Sequence, residues 1–363
     1  MDDRIAEHAA VLVDWSARIE EGDNVVVSVA EGAHDLAVAV ARALGERGAN
    51  PVMTYGSSEI DRAYLRAHDG DFDDDPAHEL ALYENADVIL SLGGGRNTSA
   101  LADVPGETRR AAAKASEEVR DARRSTDRIS TVHPTRSLAQ QAGTSYEAYQ
   151  DFVYDAVLRD WESLAEEMAR MKDLLNDGTE VRIVTRDTDI TMSIEDRTAV
   201  NSTASVADDS HNLPSGEVFT APHATDGEIR VDIPMTLRGK RVRDVSLKFE
   251  GGEVVDYDAA QNPEVIAEIL DTDDGARRLG ELGIGMNRGI DRPTDSILFD
   301  EKMAGTVHLA LGRAYDACLP EGKDGNDSAV HVDLITDMSE DSRLEIDGDV
   351  VQRNGVFRWE DEL

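Results

Sequence analysis

The sequence has a single cysteine, Cys318, among its 363 residues. That excludes a disulfide framework within the chain and a cysteine-built zinc finger. Lysine is scarce too: of 37 basic residues only six are Lys, and the rest are Arg. Basic charge as a whole is outnumbered by 75 acidic residues, for a net charge of −38. The excess is spread along the chain and not gathered in one tail. It argues against nucleic acid or an anionic membrane surface as partner, because both are polyanions. It fits a halophilic protein, since brine screens the self-repulsion. No apolar run approaches the roughly 20 residues that span a bilayer. The first residues, Met-Asp-Asp-Arg-Ile-Ala-Glu-His, lack the basic-then-apolar order of a signal peptide. These absences predict a soluble, cytoplasmic protein with no nucleic-acid or membrane partner.

What is present predicts a globular chain. Hydrophobic content is 40%, and the length allows two domains with sizeable cores. After a helix over residues 1–20, Asn24-Val-Val-Val-Ser-Val-Ala reads as a buried strand. A helix from Leu36, a strand at Pro51–Tyr55, a strand at Ala86–Leu92, a charged helix over Glu107–Arg124 and a strand at Ile129–His133 follow. Alternation of this kind with short connections predicts a parallel, doubly wound α/β sheet. A long helix over Tyr146–Asn176 is expected to bridge to the next domain, which places the domains at residues 1–176 and 177–363. From Thr179 the texture becomes a series of short strands, beginning with a hairpin around Asp187-Thr-Asp. One helix, Pro263–Gly280, interrupts them, and a hairpin turning near Asp347-Gly348 ends the chain. The second half is therefore α+β and mostly antiparallel. The acidic segments, such as Asp69–Asp75, read as solvated loops.

Two runs in the second half carry the chemistry. Gly305-Thr-Val-His308-Leu-Ala-Leu-Gly312-Arg-Ala-Tyr315 and Asn326-Asp-Ser-Ala-Val-His331-Val-Asp333-Leu each read as a buried strand with a histidine in the middle. Buried strands carry imidazole and carboxylate only for a reason. Residues i and i+2 of a strand share a face, so His331 and Asp333 project together. His308 alone reads as an ordinary core histidine. Further donors are Glu217, Glu281, Glu301 and Tyr315. Carboxylates mixed with imidazoles suit divalent ions of the zinc, cobalt or manganese type. Magnesium stays open, and two histidines argue against calcium. Elsewhere, Gly93-Gly94-Gly95 lacks the glycine order of a dinucleotide loop and reads as a tight turn. His133 closes a parallel strand beside Pro134, and His8, His34, His68 and His78 read as surface residues.

At these residues the chain resembles the metal-dependent aminopeptidases of the aminopeptidase T/aminopeptidase S family, also called thermophilic metalloproteases or leucyl aminopeptidases. The segments that carry the resemblance are Asn212-Leu-Pro-Ser-Gly-Glu-Val-Phe-Thr-Ala-Pro, Leu298-Phe-Asp-Glu, Thr306-Val-His-Leu-Ala-Leu-Gly, and Ser328-Ala-x-His-Val-Asp. In the first half, His133-Pro-Thr with Tyr149-Gln-Asp-Phe-Val is a looser likeness. The resemblance implies a peptidase with two cocatalytic divalent ions. It implies Glu217, Glu281, Glu301, His308, His331 and Asp333 as ligands, and Glu281 as the bridging carboxylate. Tyr315 would stand at the site, and Glu217 or Glu281 would move the proton. It implies a peptide substrate and a homodimer. One departure is the six-residue stretch Lys-Met-Ala-Gly-Thr-Val between Glu301 and His308. The competing reading is a non-enzymatic ligand-binding protein whose metal is structural.

Overall fold

In the computed structural model, which describes residues 2–72 and 76–360, the chain divides into two compact units. One comprises Met1–Arg159 with Ala204–Pro214, the other Asp160–Thr203 with Ser215–Leu363. The division is not a single cut, because the short return 204–214 belongs with the first unit.

The first unit is built on a five-stranded parallel sheet. Its order is Asn50–Gly56, Asn24–Ala30, Val88–Gly93, Asp127–Val132 and the short Asn212–Leu213. Val25, Val26 and Val27 are all buried, as expected of a central parallel strand covered on both faces. The expected α/β sheet is therefore present, but two helices are broken. The charged helix is two, Gly106–Ala115 and Glu117–Arg124, joined at Ser116. The expected bridging helix is also two, Tyr146–Val157 and Trp161–Asp177. The second starts afresh with the Asp160 carboxylate accepting from the Ser163 N–H, a side-chain cap that the periodicity alone did not reveal. The Gly94 carbonyl accepts from the Gly32 N–H at 2.9 Å, and a Cβ on Gly32 would lie 2.1 Å from that oxygen. The next helix begins only at Gly106, so the triple glycine is a turn packed against its neighbour. Of the acidic segment 69–75, residues 73–75 lie outside the described residues.

His8 corrects a surface expectation. Ile5, His8 and Ala9 form the buried stripe of the helix Asp3–Ala10, at the i, i+3, i+4 spacing of one helix face. Its Nε2 lies 2.8 Å from Thr131 Oγ1. Burial, with His133 nearby, pulls its pKa down to about 3, so the ring is neutral.

The second unit is α+β, with two largely antiparallel sheets. The larger has nine strands and contains the expected hairpin, Glu180–Val184 with Asp189–Ser193. The smaller has the order His331–Asp337, Thr306–Gly312, Leu279–Gly285, Glu217–Thr220, Val200–Ser202, with every pairing antiparallel. The helix expected to reach Gly280 stops at Leu270. The residues beyond it form the fully buried strand Leu279–Gly285. Glu281 thus stands in the middle of a sheet.

Candidate metal centre

Register brings the expected donors onto one face of the smaller sheet. Glu217 pairs with Gly285, Gly283 with His308, and His308 with Ile335. Glu281 pairs with Ala310, Ala310 with Asp333, and Gly312 with His331. Cross-strand partners share a face, so Glu217, Glu281, His308, His331 and Asp333 all project the same way. The small residues between them leave the room. A Cβ on Gly283 would sit 2.0 Å from His308 Cε1 and Nε2, so glycine is the residue that lets the imidazole lie across the neighbouring strand.

The donors form two groups that share one residue. Glu217, Glu281 and His308 offer ligand atoms all within 4.8 Å of one another, and so do Glu281, His331 and Asp333. His308 Nε2 is 3.1 Å from Glu281 Oε1 and 3.6 Å from Glu217 Oε2. His331 Nε2 is 3.4 Å from Glu281 Oε2 and 3.5 Å from Asp333 Oδ1. Its Nδ1–H donates to the Arg313 carbonyl at 2.8 Å, which leaves Nε2 free as a ligand atom.

Tyr315 lies at the rim, 47% exposed, with its ring centroid 4.8 Å from that of His331. Glu301 is not among these donors. It follows the short helix Ile297–Asp300 and forms an ion pair with Lys302. Lys302 is the residue that sequence reasoning missed. It is fully buried, and its Nζ is 3.3 Å from Glu217 Oε1. Lysine following two acids reads as surface charge. The available signal was its place in a chain with so few lysines, between two apolar strands.

The electrostatics follow from burial. Burial pushes the Glu217 carboxyl up to about 8, against the opposing pull of Lys302. Burial also raises Glu281. Burial would lower His308, but the hydrogen bond to Glu281 and the charge of Glu217 outweigh it and lift the ring to about 10. For His331 burial is likewise outweighed, by Asp333 and then Glu281, and the ring rises to about 9. A pocket holding this much carboxylate in low dielectric favours a bound cation.

The donor set fits divalent ions. Glu217 Oε2 and Glu281 Oε2 are buried without a hydrogen-bond partner among the described residues, and buried oxygens of this kind ordinarily have one. Three carboxylates and two imidazoles match zinc, cobalt or manganese, and magnesium less well.

Fold and donor set together define a class of metal-site proteins, an α/β unit followed in sequence by an α+β unit that carries the candidate ligands. The chain belongs to the thermophilic metalloprotease (M29) family, whose model matches residues 1–357. It is similar to aminopeptidase 2 of Geobacillus stearothermophilus, with 37% identity over 173 residues, 42% of this chain and 41% of the relative. It is also similar to aminopeptidase T of Thermus aquaticus, with 39% identity over 151 residues, 38% of this chain and 36% of the relative. The chain thus spans about two-fifths of the length of these curated relatives. Among solved structures it resembles wild-type AmpT from Thermus thermophilus. The TM-score is 0.81 at 25% identity, over 98% of this chain and 99% of that one. No helix among the described residues is long and apolar enough to cross a membrane.

Proposed function

We propose that the chain is an aminopeptidase that hydrolyses N-terminal residues from peptides with two divalent ions. The observation that carries this reading is the pair of donor groups sharing Glu281 on one sheet face, in a chain of this family. Glu217, Glu281 and His308 would hold one ion, and Glu281, His331 and Asp333 the other. When bound, such ions polarise a carbonyl and lower the pKa of a water. The chain's own residues do the rest. The Arg313 carbonyl fixes the His331 ring. Lys302 holds Glu217 in place, and Glu301 acts through Lys302. The Tyr315 hydroxyl at the rim donates to the developing oxyanion. Glu217 or Glu281 takes the proton from the attacking water and returns it to the leaving amine.

Removing metal tests this reading. Chelation should abolish hydrolysis of leucine p-nitroanilide, and cobalt or zinc should restore it, while the circular dichroism spectrum is retained. If chelation unfolds the chain and the reloaded protein cleaves no peptide, the metal is structural and the enzyme assignment fails.

A cytoplasmic homodimer adapted to brine completes the proposal. The net charge of −38 supports the adaptation, because screening shortens the reach of self-repulsion. The melting temperature should fall on transfer from molar salt to dilute buffer, and an unchanged value contradicts the adaptation. A one-chain mass by light scattering contradicts the dimer.

A further inference from the structure

Next to His331 and Asp333 lies a cavity of about 240 Å³ that the metal chemistry does not use. Most of its wall is apolar, built by Ile233, Met235, Leu237, Ile297, Val332 and Ile335, with His331 and acidic groups at its polar side. Ile297 is 49% exposed, a large apolar side chain left standing in solvent beside a polar site. Pockets for whole drug-sized ligands run to roughly 300–1,000 Å³, so this one suits a single side chain.

The strand that borders the cavity is also open. His331–Asp337 is the outer strand of its sheet, paired on one side with Thr306–Gly312. The Arg313 N–H donates to the Val330 carbonyl. That fixes the alternation, with Val332 and Leu334 turned toward the partner strand and His331, Asp333, Ile335 and Asp337 turned outward. The outward groups are covered at one end only. The Ile335 carbonyl accepts from the Ile233 N–H at 3.3 Å, and the Asp337 N–H donates to Asp232 Oδ1 at 2.9 Å. From Asp333 back to His331, no backbone partner covers that edge among the described residues. An open edge accepts an extended chain by strand addition. Here the edge, the metal-site side chains of His331 and Asp333, and the apolar cavity meet at the same three residues.

We propose that this cavity receives the side chain of the substrate's first residue, with the peptide main chain laid along the Asp333 edge. Met235 and Ile297 are then specificity-determining residues, and the preferred substrates begin with an aliphatic or aromatic residue. Acidic first residues are disfavoured. Asp295, Asp300 and Asp333 line the cavity and no Lys or Arg does. Arg241 is engaged by Asp295 at 3.4 Å. The inference rests on the aminopeptidase reading.

The test compares kcat/KM of the metal-loaded protein on leucine, phenylalanine, alanine and glutamate p-nitroanilides. Met235→Trp fills the cavity and should lower the leucine-to-alanine ratio by about tenfold or more, the discrimination an apolar pocket achieves for small size differences. Ile297→Arg, at an exposed position that leaves the fold intact, should raise glutamate relative to leucine. A merely structural effect would lower all four substrates together. Ratios unchanged in both variants, with the wild type active, overturn the cavity assignment alone. A wild type that cleaves none of the four overturns the peptidase reading and this inference with it.

Discussion

Glu281→Gln should abolish peptide hydrolysis and weaken metal binding at both positions at once. Glu281 is the one residue common to the two donor groups. Its Oε1 faces His308 and its Oε2 faces His331, so each oxygen serves a different group. The amide keeps the shape but removes the charge and turns one oxygen into a donor. A donor aimed at a cation repels it. The expected loss in kcat/KM is at least about 10²–10³-fold, the range for removing one principal transition-state stabiliser. Metal content per chain after equilibrium dialysis should fall below that of Glu217→Gln, which disturbs one group only. The metal-free variant should keep its circular dichroism spectrum, because the strand Leu279–Gly285 is held by its neighbours on both sides. A variant with wild-type metal content would refute the bridging role.

Lys302→Met should be the most destabilising single change at the site. The ammonium is fully buried between the carboxylates of Glu217 and Glu301. Burial alone would lower its pKa, but the two carboxylates outweigh that and raise it. The lysine is thus a permanent internal cation. Methionine fills similar volume, so the effect is electrostatic and not a cavity. Removing one partner of a buried pair typically costs roughly 3–5 kcal/mol, because the other charge stays behind. Denaturant unfolding of the metal-free protein reads this directly. Adding Glu301→Gln to Lys302→Met should recover part of the loss, since one stranded carboxylate is then neutral, and the two changes should be non-additive. Full additivity would mean that the pair does not act as a unit.

The fold was readable where periodicity is local. The valine run of Asn24–Ala30 and its alternation with helices indicated a parallel sheet, and the hairpin around Asp187-Thr-Asp lies where its turn residues put it. Errors came where a local signal competes with packing. The helices read as continuous over Glu107–Arg124 and Tyr146–Asn176 are each interrupted by residues that also suit a helix. The segment after Pro263 looks helical to Gly280, but strand pairing claims its last part. The burial of His8, expected at the surface, and of Lys302, which drew no expectation, escaped local reading for one reason. Polar side chains are usually exposed, and the partners that allow their burial are distant in sequence or unremarkable there.

By itself the sequence determined the kinds of chemistry present: imidazoles and carboxylates set in apolar strands, no cysteine ligands, and a large acidic excess. It also fixed the pairing of His331 with Asp333 on one face, because a strand's period of two is local. Tertiary structure decided the rest. Antiparallel register carried Glu217, Glu281 and His308 to the same face, glycine at position 283 opened the space, and Lys302 came to lie between Glu217 and Glu301. Those outcomes depend on distances between strands far apart in the chain, and no local pattern encodes them. Each strand's own alternation is written in its residues, but the offset between strands is set by the packing of the whole sheet.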